Sequence, residues 1–257
     1  MILNEFDPLK NAVINPWDIV HPVDGMPKVA VSCFSNITFD RMISELDTQV
    51  IAWSGCANGQ TPIYRTCYKG IEVALFMMDV GAPMSVGMME ELFVMGVEKV
   101  VVFGTCGVLD HSISDCSIII PNSAIRDEGT SYHYEPFSDE IPVNEKYLPE
   151  FTKMLDELKV KYTIGKTWSV DAFYRETREK VIRRQKQGCI CVDMECSAIS
   201  AVTKFRQKDC VQFFYAADNL DAETWDARSL SNHSHLEEKD RIAAIALELA
   251  VRISQIS

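Results

Sequence analysis

Eight short apolar runs, rich in β-branched and aromatic residues, recur along this chain, and amphipathic helical patterns lie between several of them. The runs are KVAVSC (28–33), TQVIAWS (48–54), IEVALFMM (71–78), KVVVFG (99–104), CSIIIPNSAI (116–125), YTIGKTWSV (162–170), CICVDM (189–194) and VQFFYAAD (211–218). They are near-continuous rather than alternating, which is the pattern of strands buried on both faces. SVGMMEELFVMGV (85–97) places Val86, Met89, Leu92 and Phe93 on one helical face. EKYLPEFTKMLDELK (145–159) does the same with Leu148, Phe151, Met154, Leu155 and Leu158, and further helical patterns lie at 195–207 and 237–254. Strands of this kind alternating with helices predict an α/β fold, a mixed sheet covered on both sides. The 257 residues, 47% of them hydrophobic, suffice for one large core. No Gly/Ser/Pro linker or repeat divides them, so residues 1–257 are expected to form a single domain.

The formal net charge of −12 disfavours nucleic acid and anionic membranes as partners. A small anion remains compatible with it, because a local pocket can be positive on an acidic protein. The nine cysteines are scattered and several lie in apolar runs, which reads as reduced thiols, without zinc-ligand spacing. No metal site is expected. MILNEFDPLK has no basic region leading into an apolar core, and no run reaches membrane-spanning length, so the expected location is the cytoplasm. The polar stretch RDEGTSYHYEPFSDEIPVNEK (126–146) reads as one long excursion carrying function or an interface.

In such sheets ligands bind at the carboxyl ends of strands. At those ends this chain carries DVGAPMS, TCG, DAFYRET, DME and DN. The turn Gly104-Thr105-Cys106-Gly107 can offer backbone N–H groups and a hydroxyl to an anion. Cys106 as a nucleophile would need a base beside it, and GTCGV lacks the second glycine of a nucleophile elbow. A small buried side chain is the favoured role. Asp193 and Glu195 flank Met194 where a strand ends, so the two carboxylates share a face. A carboxylate there suits a ribose diol, or is simply an acid favoured near a helix N-terminus. Asp218, after FFYAA, suits an acid with a raised pKa, or a turn cap.

The order VGAPMSVGMMEEL, GTCGV, IRDEGTSYHYEP, DAFYRET, VDMECSAISAV, AADNL resembles the nucleoside phosphorylase-I family, in its uridine phosphorylase and hexameric purine nucleoside phosphorylase branch, over roughly residues 28–225. GTCG and DMECSA are its most specific parts. The resemblance implies a central sheet with a barrel-like distortion, and cleavage of a ribonucleoside by inorganic phosphate to give free base and ribose 1-phosphate. It implies no cofactor, phosphate being a co-substrate. It places Gly104 and Thr105 at the phosphate and ribose, Met194 and Glu195 on the sugar, and Phe173 on the base. It makes Asp218 the acid that protonates a purine. It also implies a homo-oligomer, a dimer or trimer of dimers, in which Arg65 reaches the phosphate of a neighbouring subunit. The uridine branch has Gln and Arg where Thr177 and Glu179 stand near here, which favours a purine. Three features depart from the family: SCFSNITFDR replaces its Gly-Asp-Pro-x-Arg loop, with Arg41 several residues late, Val102 replaces an arginine, and Asp193 replaces the usual Glu. Arg65, Arg126 or Arg175 could rebuild the phosphate site. Otherwise the nucleophile is water, as in a hydrolytic nucleosidase. The same residues are also compatible with a uridine phosphorylase or with a non-catalytic nucleoside-binding protein.

Overall fold

The computed structural model describes residues 2–230 and 233–256. In chain order these form β1 (Val29–Cys33), α1 (Asn36–Ser44), β2 (Thr48–Cys56), β3 (Gly59–Tyr68), β4 (Ile71–Met77), α2 (Ala82–Met95), β5 (Lys99–Val108), β6 (Ile118–Asp127), β7 (Glu140–Pro142), α3 (Leu148–Glu157), β8 (Tyr162–Val170), α4 (Arg178–Lys186), β9 (Cys189–Asp193), α5 (Cys196–Arg206), β10 (Asp209–Asn219) and α6 (Leu236–Ser254). All ten strands join one mixed sheet, ordered β10-β6-β8-β9-β5-β1-β4-β3-β2 with β7 on β6. Because β10 also pairs β5, the first five strands of that order close into a barrel. β5 is the joint of the molecule. Its first half runs parallel between β1 and β10, and its end bends so that Gly107 and Val108 pair antiparallel with Val192 and Cys191 of β9.

Strand residues alternate between two packed layers, which explains the continuous apolar runs. Val29, Val31, Val101 and Phe103 face a cluster with Phe151 of α3 and Leu249 of α6. Ala30, Val100 and Val102 face Met89 and Leu92 of α2 and Ile199 of α5. Within the first cluster the rings of Phe103 and Phe213 stack with centroids 5.5 Å apart. A third cluster joins Cys106, Val108, Cys191, Phe214 and Ala216 along the barrel strands. The covered mixed sheet is the one expected.

Four features add to the expectation or shift it, each for a physical reason. β3 (GQTPIYRTCY) is polar and holds Pro62, yet it forms a hairpin with the edge strand β2, where most residues stay open to water. α4 (REKVIRRQK) buries only Val181, so it shows no apolar stripe. The excursion at 126–146 is tethered: β6 continues to Asp127, Glu128 accepts the backbone N–H groups of Thr130 and Ser131, and β7 pairs β6. α2 starts three residues earlier than its apolar pattern, at the turn of Gly81 (φ 95°), and stops at Gly96 (φ 127°). All nine cysteines are free thiols, and no described helix is long and apolar enough to cross a membrane.

Candidate active site

Three neighbouring strands, β9, β5 and β10, carry Glu195, Thr105 and Asp218 to one region of the barrel. Glu195 stands where β9 hands over to α5. Its aim is set by Asp193: one carboxylate oxygen of Asp193 accepts the N–H groups of Glu195 (2.8 Å) and Cys196 (2.6 Å), and the other accepts the hydroxyls of Thr167 and Ser169, each at 2.9 Å. The expectation that Asp193 and Glu195 share a face is therefore corrected. Asp193 turns inward to cap the first turn of α5, with all four donors spent on the fold. Glu195 is 8% exposed and accepts the N–H of Gly81 at 2.6 Å, which ties it to the turn before α2. Burial, and then the nearby Asp193, push its carboxyl up to about 8. Met194, between the two acids, is half-buried.

Gly104 and Thr105 lie in the bend of β5, beside a cavity of about 100 Å³ also lined by Phe34, Ser35, Thr38 and Tyr215. Gly104 is required there: a Cβ would fall 2.7 Å from the Phe34 ring, which closes over it. Ser35 caps α1, accepting Thr38 N–H, so the cavity meets a helix N-terminus as well as the β5 bend. None of the described residues lining it is a cation. The candidate arginines lie outside the lining of this cavity. Arg41 grips Asp240 through two bonds of 2.9 and 2.5 Å. Arg126 is buried, stacked 4.2 Å over Tyr132, and donates to Ser131, Ser138 and the carbonyls of Glu135 and Pro136. Val102 is packed in the α2–α5 layer. Arg175 is exposed. Arg65, on β3, donates to Gln49 at 2.9 Å and packs on Gly25, so within one chain its partners lie among β2 and the Gly25 turn rather than with Glu195 or Asp218.

Asp218 is aimed by a bulge. The pairing of β10 with β5 skips a residue between Ala216 and Asp218, bringing Asp218 opposite Gly107. A Cβ on Gly107 would fall 3.2 Å from an Asp218 oxygen and 2.4 Å from Leu220, so glycine is what lets β10 lie so close. The other Asp218 oxygen accepts the indole N–H of Trp225 at 2.7 Å. Burial raises the Asp218 pKa, and the Trp225 bond opposes it. Close enough to feel its charge is Glu176, a residue missing from the candidates drawn from the sequence. Burial, and then the charge of Asp218, push Glu176 up to about 7, with Lys180 opposing. DAFYRET gives no periodic sign that its Glu turns back toward β10. Phe173 sits in the 3₁₀ turn Phe173–Arg175, half-exposed, its ring 4.1 Å from that of Tyr174.

Cys106 is buried against the Tyr215 carbonyl, and burial holds its thiol far above the ordinary range, in the neutral form. His111 bonds to Asp221, not to Cys106. Away from the β5 bend, Asp115, Cys116 and His235 bring three potential metal ligands together. The buried Lys239 ammonium, which donates to the Ser229 carbonyl, lies close enough to Asp115 and Cys116 to disfavour a second cation.

The chain is similar to several known proteins. A guanosine phosphorylase of Halorubrum lacusprofundi is 28% identical over 160 residues, 62% of this chain and 64% of that protein. A uridine phosphorylase of Thermococcus kodakarensis is 29% identical over 107 residues, 42% of this chain and 39% of that one. The matched region thus spans less than two thirds of these relatives. The crystal structure of a uridine phosphorylase from Vibrio fischeri superposes with a TM-score of 0.76 at 21% identity, covering 90% of this chain and 95% of that one, so the fold is shared. The family model of the phosphorylase superfamily runs from residue 27 to residue 254, through every strand and helix that builds the site, and the chain belongs to that superfamily.

Proposed function

We propose that this chain cleaves the N-glycosidic bond of a purine ribonucleoside, with inorganic phosphate as co-substrate, giving free base and ribose 1-phosphate. The observation that carries the reading is the convergence of Glu195 and Asp218 on strands that both pair with the Gly104–Gly107 bend. Glu195, anchored by Gly81, accepts the ribose 2′- and 3′-hydroxyls, and those donors favour its charged form, so sugar binding releases its proton. Met194 packs on the sugar and Phe173 on the base. Thr105 and the Gly104 backbone hold a phosphate oxygen beside C1′. As the C–N bond breaks, C1′ gains oxocarbenium character that the phosphate charge stabilises. Asp218, protonated, gives its proton to purine N7, and the base leaves neutral, a contribution of roughly 100- to 10,000-fold. The names of the relatives support both guanosine and uridine as substrates of this family, and Asp218 is what favours the purine here.

A second reading rests on the arginines. Arg41 and Arg126 are engaged elsewhere and Val102 is apolar, and none of the described residues lining the cavity at Thr105 is a cation. Water would then replace phosphate, unless Arg65 of a neighbouring copy supplies the charge. Base release from adenosine, inosine, guanosine and uridine, each with and without phosphate, decides among these. Phosphate-dependent release with purines ahead supports the proposal. Phosphate-independent release establishes hydrolysis, uridine ahead of every purine removes the role given to Asp218, and binding without release makes the chain a nucleoside-binding protein.

A further inference from the structure

Trp225 is 61% exposed, yet its indole N–H is committed to a half-buried carboxylate. A large ring that gains little from burial and holds one polar contact is easily moved. The segment that carries it is fixed at both ends. Arg178 donates to the carbonyls of Leu220 and Ala222, Gln185 and His111 hold Asp221, and Asn219 exchanges two backbone bonds with Asp226. The frame is rigid while the Trp225 side chain at its tip is open to water. Phe173 and Tyr174, on the turn just before Glu176, are also exposed aromatics. A planar base seated on Phe173 and bonded through N7 to Asp218 would need an oxygen of Asp218. One lies against Gly107 and the other is taken by Trp225.

Resting on the nucleoside reading above, we propose that Trp225 is a displaceable cap on Asp218: its N–H occupies the carboxylate in the empty site and gives way to the arriving base, so that Asp218 takes its proton from solvent only when a leaving group is there to receive it. Trp225 is in this sense a positioning residue. The proton passes from water to the freed Asp218 oxygen and from there to N7, whose ring accepts the C–N bonding pair. The charged groups near Asp218 pull in opposite directions, Arg228 toward the carboxylate and Asp226 toward the neutral acid, so burial and the Trp225 bond are the larger influences. Glu176 from the turn before α4 and Asp226 from the capping segment are acidic and favour the neutral acid once the indole leaves. Cys106 from β5 is a neutral thiol. Arg228 is the one cation among them, and it is shared with Asp226. The indole N–H favours the charged carboxylate against the effect of burial, and its departure shifts the balance toward the proton.

The test has two arms. In the first, the Trp225 contribution to fluorescence, parent minus Trp225→Phe, is titrated in the ligand-free protein and with hypoxanthine or adenine added. The expected signal titrates with Asp218, loses that titration in Asp218→Asn, and changes when base is added. A signal indifferent to both overturns the cap. In the second, pH profiles are compared for the parent and Trp225→Phe on the limb that Asp218→Asn abolishes. Losing one bond to a charged group should move that limb up by about one pH unit in kcat/KM, which reports the free enzyme, and leave it in place in kcat, where the cap is already displaced. Equal movement in both, or in neither, overturns displacement. The fluorescence arm needs no turnover, so a chain that cleaves no nucleoside refutes the functional reading and leaves the cap to be judged by the first arm.

Discussion

Glu195 is a carboxyl held where water cannot hydrate its charge. The unfolded chain titrates it near the ordinary value of 4.5 and the folded chain near 8. Between those limits the unfolded state holds fewer protons, so the folded state loses stability as pH rises through the window, and the loss is complete above about 8. Glu195→Gln keeps an oxygen for Gly81 N–H and removes the titration. Its gain in stability over the parent should therefore be near zero at about pH 4, grow through neutrality and reach a few kcal/mol by about pH 8, as read by urea unfolding. The same substitution should lower kcat/KM for a ribonucleoside roughly 100-fold or more, since a bond to a charged group is worth about 1.5–3 kcal/mol. A 2′-deoxyribonucleoside should show a smaller deficit. A variant that is more stable and equally active would reduce Glu195 to a strand-end acid. Cys106 is the opposite case. Its thiol is neutral and buried, so Cys106→Ser should keep most activity, and a covalent ribosyl adduct seen by mass spectrometry would reverse that assignment.

At the scale of elements, the turn from β9 into α5 decides whether Glu195 points anywhere useful. Asp193 satisfies two N–H groups of that turn and ties it to β8 through Thr167 and Ser169. Asp193→Ala should lower stability by about 2–4 kcal/mol, because the donors left behind are buried. In protein that still folds, KM for a ribonucleoside should rise as Glu195 loses its aim. An Ala variant with unchanged urea midpoint and KM would show that β8 and α5 hold the turn alone. This turn also shows what the sequence could and could not express. The pattern of acid, Met, acid after an apolar run marks the spot, but strand alternation puts both acids on one face. The reversal of Asp193 comes from hydroxyls on β8, a separate strand distant in the chain. Likewise β1, β5 and β10 are legible because burial on both faces leaves a continuous apolar record. β3 and α4 are not, since an edge hairpin and a helix with one buried residue leave little record. Glu176 belongs to DAFYRET, a stretch whose polar character is plain, yet only the clasp of Arg178 on the segment after β10 brings that stretch to Asp218.

At the scale of the molecule, the placement of the arginines bears on the proposed use of phosphate. A cation would add to the backbone N–H groups and hydroxyl proposed to hold phosphate, and in one chain the cavity at Thr105 has none among its described lining residues. Arg65 sits at the other end of the sheet order, on the β2–β3 hairpin, whose face carries Val50 and Trp53 exposed. Val80 and Met84, at the start of α2 and close to the Glu195–Gly81 bond, are exposed as well. Apolar side chains open to water beside a site are the surface a second copy would cover. The proposed assembly is therefore a homo-oligomer in which Arg65 of one copy completes the phosphate site of another. Sedimentation at micromolar concentration should show a species larger than the 29.0 kDa chain. Arg65→Ala and Glu195→Ala should each be nearly inactive alone. Mixed and reassembled, they should regain part of the phosphate-dependent rate, because some sites then draw both intact residues from different copies. An active monomer, or a mixture no faster than its parts, would return the phosphate site to a single chain and leave water as the nucleophile the geometry favours.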